Sequence, residues 1–211
     1  MKINFSSIKN IVFDLGNVVI DIDFELTFQA FADILKIPYA EADHFLRSRQ
    51  LNHRNETGQL SEQDLIDEVK AFASHELSAT QIKDAWNALL LEMPKERIEL
   101  IKELGNNYNT YVLSNTNKTH IDGVNAILKQ NTGIDDLKEV FTHTVYYSHD
   151  IKLSKPDPKI YEYILQDSKL EASETLFIDD KEENILAAKE LGIQTIHLVK
   201  PVTIVDVLKD A

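Results

Sequence analysis

Four short stretches of this 211-residue chain carry polar side chains that could act together in one site. Asp14 closes an apolar run, Ile11-Val12-Phe13, and is followed at once by Leu15, Gly16 and Asn17. Ser114 and Asn115 close a second such run, residues 110–113, and Asp179 and Asp180 close a third, residues 175–178. Lys155 stands in Ser154-Lys155-Pro156-Asp157-Pro158, just ahead of a helix start. Carboxylates are oxygen ligands suited to a hard cation such as Mg²⁺. A carboxylate can also attack phosphorus as a covalent nucleophile, giving an aspartyl-phosphate. A hydroxyl, an amide and a lysine can hold phosphoryl oxygens and offset the charge that develops on them. Two adjacent carboxylates at the end of a buried strand repel unless a cation or a proton intervenes, which makes Asp179-Asp180 more than an ordinary turn.

These residues meet only if the elements behind them bring them to one place. Short apolar runs bounded by turn residues read as buried strands. Residues 141–147 alternate and read as a further strand, and residues 194–199 as the last. Between the strands lie helical stretches at 94–104, opened by Pro94 and closed by Gly105, and at about 119–129, 158–166, 184–191 and 203–208. Strands alternating with helices give a parallel, doubly wound, Rossmann-like α/β sheet. In such a sheet the strand ends emerge on one edge, where ligands bind. Residues 20–92 break the alternation. Phe24, Phe28, Phe31, Ala32 and Leu35 recur at helical spacing up to Pro38, and Ala42, Phe45 and Leu46 mark a second helix. Ser61 with Asp64 forms a capping box for a third, and Ser78 or Thr80 opens a fourth. Residues 53–59 read as a polar loop. The expected organisation is a core domain over 1–19 and 93–211, with an all-helical cap of about four helices over 20–92 inserted after the first strand.

Composition narrows the partners. The net charge is −13 with no basic run, which argues against nucleic acid. An acidic protein that handles an anionic substrate must build a local positive site from a metal, a lysine or helix N-termini. The chain has no cysteine, which excludes disulfides, zinc-thiolate sites and a cysteine nucleophile. Apolar residues make up 43%, enough for a core, but no stretch approaches the roughly 20 apolar residues of a membrane span. Residues 1–7 lack the apolar run of a signal peptide. The expectation is a cytoplasmic protein with no membrane partner. No H-E-x-x-H, G-x-G-x-x-G or Walker-type loop is present, so neither a zinc site of that kind nor a nucleotide cofactor has support.

With its motifs in this order the chain resembles the haloacid dehalogenase-like hydrolase superfamily, in the branch with a small helical cap after the first strand. The motifs are Phe13-Asp14-Leu15-Gly16-Asn17, Leu113-Ser114-Asn115-Thr116-Asn117, Lys155-Pro156-Asp157-Pro158 with Ile160-Tyr161, and Phe177-Ile178-Asp179-Asp180 with Asn184. The wording D-L-G-N-V and L-S-N-T-N is most similar to bacterial sugar-phosphate phosphatases related to α-D-glucose-1-phosphate phosphatase. The resemblance implies a Mg²⁺-dependent phosphatase acting on a small-molecule phosphate ester, a sugar phosphate in that branch. It implies Asp14 as nucleophile and metal ligand, the Gly16 carbonyl and Asp180 as further ligands, and Asp179 behind them. It places Ser114, Asn115 and Lys155 on the phosphoryl group and Asn184 as a brace for the fourth motif.

One position departs from the pattern. Most phosphatases of the superfamily carry a second aspartate two residues after the nucleophile, which protonates the leaving group and then activates water. This chain has Gly16 there. General acid–base help is worth ~10²–10⁴ in rate, so three answers stand open. The leaving group is a good one, such as an anomeric oxygen; another side chain reaches in, with Asp21, Asp23 or His53 as candidates; or the protein is slow or not catalytic. Two other classes compete. One is a metal-independent hydrolase resembling the haloacid dehalogenases, which carry serine-type residues where this chain has Asp179-Asp180. The other is a non-catalytic regulatory protein on the same fold. The sequence names neither the substrate nor the oligomeric state.

Overall fold

The computed structural model describes residues 5–209 and 211; the expectation that residues 1–7 are no signal peptide falls partly outside that range. Five parallel strands, β1 (Asn10–Phe13), β2 (Asn109–Ser114), β3 (Val145–Tyr147), β4 (Thr175–Asp179) and β5 (Gln194–His197), form one sheet in the order β3-β2-β1-β4-β5. Helices cover both faces, so the central strands are apolar on both sides and alternate residues enter different cores. Ile11, Phe13, Val112 and Ile178 pack with Ile98, Ile101 and Leu128, whereas Val12, Leu113 and Phe177 pack with Ile160, Tyr161 and Ile185. Those partners come from α6 (Lys95–Leu104), α7 (Lys118–Thr132), α9 (Pro158–Asp167) and α10 (Glu182–Glu190). The short α8 (Ser148–Ile151) follows β3, and α11 (Ile204–Leu208) follows β5. This is the expected α/β, doubly wound parallel architecture.

Register places the site. Phe13 pairs with Val112 on one side and Ile178 on the other, so Asp14, Ser114 and Asp179 emerge together at the C-terminal edge. The Asp14 amide donates to the Ile178 carbonyl at 2.9 Å, holding that edge one residue beyond the ladder.

Between β1 and α6 the chain makes a layer of helices: α1 (Phe24–Leu35), α2 (Tyr39–Ser48), α3 (Leu51–Glu56), α4 (Glu62–Phe72) and α5 (Ala79–Asn87). Asp23 caps α1, Ser61 and Asp64 form the expected capping box of α4, and Ser78, one of two expected starts, forms a further box with Gln81 at α5. Phe31, Leu35, Phe45, Leu65, Ile82 and Trp86 give the layer an apolar core of its own. The chain enters and leaves through a narrow neck in which Asp21 N–H donates to Glu92 O and Leu91 N–H to Asp21 O.

Three local expectations are corrected. The layer has five helices among the described residues rather than four, because His53 lies in α3 and not in a loop. At six residues α3 is too short to show a hydrophobic period, and it is started by Gln50 in the left-handed region (φ 52°). Helix α1 ends at Lys36, also left-handed (φ 57°), two residues before the proline that looked like its stop. The strand expected over 141–147 is confined to Val145–Tyr147. Ahead of it, Thr142 exchanges side-chain and backbone hydrogen bonds with Thr110 instead of extending the ladder.

Phe31 is fully buried and meets Trp86 edge-on at 6.0 Å between ring centroids. Phe31→Ala is expected to lower unfolding free energy by about 3–5 kcal/mol, read by urea denaturation. A loss below about 1 kcal/mol would show that the helical layer is not packed around this ring.

Candidate active site

The buried Lys155 ammonium ties the sheet edge together. Its Nζ lies 2.8 Å from Asp14 Oδ1 and 2.7 Å from Asp179 Oδ2, and it donates to the Leu113 carbonyl at 2.9 Å. All three ammonium donors thus have acceptors from β1, β2 and β4. The Phe177 ring lies 5.3 Å from the same nitrogen. The backbone of Lys155 is fixed too: Asn115 Nδ2 donates to its carbonyl and Asn115 Oδ1 accepts from its N–H, both at 2.9 Å. The peptide bond that follows, Lys155–Pro156, is cis. Asn115, expected on the phosphoryl group, lines the crevice, and its side-chain amide holds the Lys155 backbone. Ser114 Oγ makes no hydrogen bond to a described residue, and Ser114 lines the same crevice.

Asp179 is fully enclosed and saturated. Beside Lys155 it accepts from Asn184 Nδ2, at 3.0 and 2.9 Å to its two oxygens, and from the Lys181 N–H at 2.8 Å. Asn184 thus ties α10 to the end of β4, and Tyr161 Oη donates to the Asn184 carbonyl at 3.1 Å. Asp180 is more open. Asn17 Nδ2 donates to its Oδ2 at 2.9 Å. Asn17 holds a left-handed backbone (φ 58°), a conformation asparagine tolerates better than most residues, and its Oδ1 accepts from the Ile22 N–H. Sequence reasoning passed over Asn17 as a functional residue, although an asparagine directly after glycine is a signal for such a turn.

Asp14, Asp179 and Asp180 each place a carboxylate oxygen within 4.8 Å of the others. Three carboxylates thus face one ammonium, an excess of negative charge that a divalent cation would neutralise. The donors are all oxygen, the chemistry of a Mg²⁺ site rather than a zinc site. The strain of this crowding appears in the titration of Asp14. Burial pushes its carboxyl up, Lys155 pulls it back and Asp179 pushes it up again, so that it comes to about 6. Burial alone would make Lys155 a weaker base, but Asp14 and Asp179 carry its pKa above the ordinary lysine value.

Gly16 sits beside this cluster in a tight turn. A Cβ there would lie 2.6 Å from Ile22 Cδ1, so the space an aspartate would need is filled by an isoleucine methyl. Of the side chains expected to substitute for it, Asp21 is ion-paired with Arg97 at 3.2 Å and Asp23 caps α1. His53 is exposed and lines an outer cavity of about 570 Å³, with Phe28, Arg47, Asn52, Trp86 and Lys181. A smaller inner cavity of about 50 Å³ runs along Leu15-Gly16 and Ser114-Thr116. Phe24, Leu89 and His120 line both, so the two adjoin. His120 stacks on Trp86 at 5.5 Å and shares a hydrogen bond with Asn87 at 2.9 Å; burial drops its pKa to about 3 and keeps the ring neutral. Neither His120 nor Glu56, which also lines the inner cavity, carries a local sequence signal.

Comparison with known proteins agrees with this geometry. The model of the haloacid dehalogenase-like hydrolases matches residues 8–192. A D-ribitol-5-phosphate phosphatase of Bacteroides thetaiotaomicron is 33% identical over 193 residues, covering 89% of this chain and 90% of that protein. The crystal structure of a HAD-family enzyme from the same organism superposes with a TM-score of 0.83 at 31% identity, over 92% of this chain and 95% of that one. A complex of that family enzyme with magnesium and inorganic phosphate superposes at 0.79 with 28% identity, over 92% and 96% of the two chains.

The raised carboxyl of Asp14 has a consequence for stability. Its folded-state pKa is about 6 against an ordinary value of 3.8, so between those limits the native chain binds a proton that the unfolded chain releases. In metal-free protein this group therefore costs stability as pH rises through that window. Asp14→Asn is expected to be more stable than wild type at neutral pH in EDTA, read as a higher midpoint in urea denaturation. A less stable variant would mean that the Lys155 pairing outweighs the cost of burying this charge.

Proposed function

The chain belongs to the haloacid dehalogenase-like hydrolase family, and from that premise we propose that it is a Mg²⁺-dependent phosphatase of a small sugar or polyol phosphate, working through an aspartyl-phosphate on Asp14. The observation that carries the reading is Asp14 itself. Lys155 holds one of its oxygens at the edge of a parallel sheet, and the Leu15 N–H donates to the same carboxylate. A carboxylate so oriented is a nucleophile. The two carboxylates that end β4 favour metal-dependent phosphoryl chemistry over the metal-independent dehalogenase reading.

Asp14, Asp180 and the Gly16 carbonyl would hold the Mg²⁺. When bound, the ion supplies the positive charge that lets a carboxylate approach a phosphate dianion. Asp14 then attacks phosphorus and the leaving oxygen departs on the opposite side. Lys155 and the Ser114 hydroxyl stabilise the charge on the phosphoryl oxygens. Asp179, locked by Lys155 and Asn184, keeps the ammonium where the phosphoryl group forms. Hydrolysis of the aspartyl-phosphate by water returns Asp14 and releases orthophosphate. The helical layer acts as a cap, and its outer cavity takes the leaving group. Arg47, Gln50, Asn52 and Lys181 offer hydrogen bonds to hydroxyls there, and Phe28 and Trp86 offer flat apolar faces.

A panel of glycerol, ribitol and glucose phosphates, assayed with and without Mg²⁺, tests the reading. Hydrolysis should require Mg²⁺ and be lost in Asp14→Asn; activity that survives either change would sink it. Asn17→Gly keeps the turn's backbone but removes the amide that orients Asp180. It should raise the Mg²⁺ concentration for half-maximal activity by ~10–100-fold while leaving the rate at saturating Mg²⁺ close to wild type. An unchanged Mg²⁺ requirement would remove Asn17 from the metal site.

A further inference from the structure

The aspartate missing at Gly16 leaves the reaction without an evident proton donor, and the walls of the inner cavity narrow the choice. Of the residues lining it, two carry a titratable side chain, Glu56 and His120. His120 is held neutral by burial and its Nδ1 is engaged with Asn87, so it has no proton to give to an ester oxygen. Glu56 comes from the last turn of α3 in the helical layer and lines the same wall as Gly16 and Ser114. Asn52 Nδ2 donates to its Oε1 at 3.0 Å, and its Oε2 makes no hydrogen bond to a described residue.

The turn after Glu56 is built to hold it against the sheet domain. Gly58 is left-handed (φ 69°), and a Cβ there would come within 2.7 Å of the His149 carbonyl in α8. Thr57 Oγ1 donates to the His53 carbonyl at 2.8 Å, and Asn55 Nδ2 to the Leu60 carbonyl at 2.6 Å. The backbone that carries Glu56 is thus fixed by hydrogen bonds at its own helix end and by the contact of Gly58 with α8.

We propose that Glu56 is the proton donor and acceptor that stands in for the aspartate missing at Gly16. Burial raises the affinity of its carboxyl for a proton, against the opposing pull of Asn52, Lys181, His53 and Lys155. The role rests on the phosphatase reading of Asp14. In the first step an Asp14 oxygen forms its bond to phosphorus and the bond to the ester oxygen breaks. The Glu56 proton passes to that oxygen, and the alcohol leaves. In the second step water attacks phosphorus and loses its proton to the Glu56 carboxylate. The bond from phosphorus to Asp14 breaks, restoring both groups and releasing orthophosphate.

A proton donor matters in proportion to how poor the leaving group is, and that separates this role from a structural one. The value of kcat/KM reports the first step. For the alkyl phosphate of the panel above that wild type turns over fastest, Glu56→Gln should lower kcat/KM by ~10²–10⁴. For 4-nitrophenyl phosphate, whose leaving group needs no proton, it should stay within about three-fold. Equal losses on the two esters would overturn the proposal. Should the Gln variant lack a cooperative unfolding transition, Glu56→Asp carries the same comparison, since it keeps the charge and withdraws the carboxyl by one methylene. A ratio of the two kcat/KM values unchanged in Glu56→Asp would equally overturn it. Wild type with no Asp14-dependent activity on either ester would instead overturn the phosphatase reading on which it stands.

Discussion

The site depends on one ammonium enclosed among carboxylates. An ion pair this deep is costly to desolvate, and it holds only if every donor and acceptor finds a partner. Lys155 meets that condition with Asp14, Asp179 and the Leu113 carbonyl. Much of the surrounding structure follows from keeping that nitrogen in place. Asn115 grips the Lys155 backbone from the end of β2, and Asn184 saturates Asp179 from α10. The parallel register then puts Asp14 level with Asp179, so that one cation bridges two strands without distorting either.

The same arrangement resolves the electrostatic problem of a chain with net charge −13 that must bind an anion. No basic surface is needed where positive charge is concentrated at one buried lysine and, when present, one divalent ion. Lys155 offsets one of three carboxylates and leaves a deficit of the size and oxygen-only chemistry that Mg²⁺ satisfies. Asn17 shows the care with which the open ligand is held. It adopts a left-handed backbone, and one side chain links the turn after β1 to the end of β4 through Asp180.

What could be read from the sequence divides along local and non-local lines. Asp14, Ser114 and Asp179-Asp180 were legible because each ends an apolar run, and a parallel sheet sends such ends to one edge. The capping box at Ser61 was equally local, whereas Ser78 and Thr80 both looked able to start α5. Helix α3 was not legible, because six residues begun by a left-handed glutamine show no periodicity. The task of Asn115 was hidden because its partner lies 40 positions away. Glu56 was one acid among 35 Asp and Glu residues, and only the folding of the helical layer over the sheet gives it a neighbourhood. Asp21 and Asp23 looked available from spacing alone, yet a neck ion pair and a helix cap account for them.

The relation between Gly16 and Ile22 carries the reading one step further. The isoleucine methyl that fills the space of an aspartate at position 16 also lines the inner cavity, so the wall that lost its acid is closed and apolar. A proton donor carried by α3 instead lies on the layer that covers the crevice rather than on the sheet that holds the nucleophile. Its position then depends on how that layer docks. Gly58 against the His149 carbonyl, Thr119 Oγ1 donating to Glu62 at 2.8 Å, and Trp86 stacked on His120 are the contacts that set the docking. With the donor on the sheet, an open crevice would still protonate a leaving group. With it on α3, the nucleophile and the acid come together only when the helical layer is seated and water is excluded. On the proposed role of Glu56, seating of the helical layer would complete the catalytic set, since the acid and the nucleophile are carried by different layers.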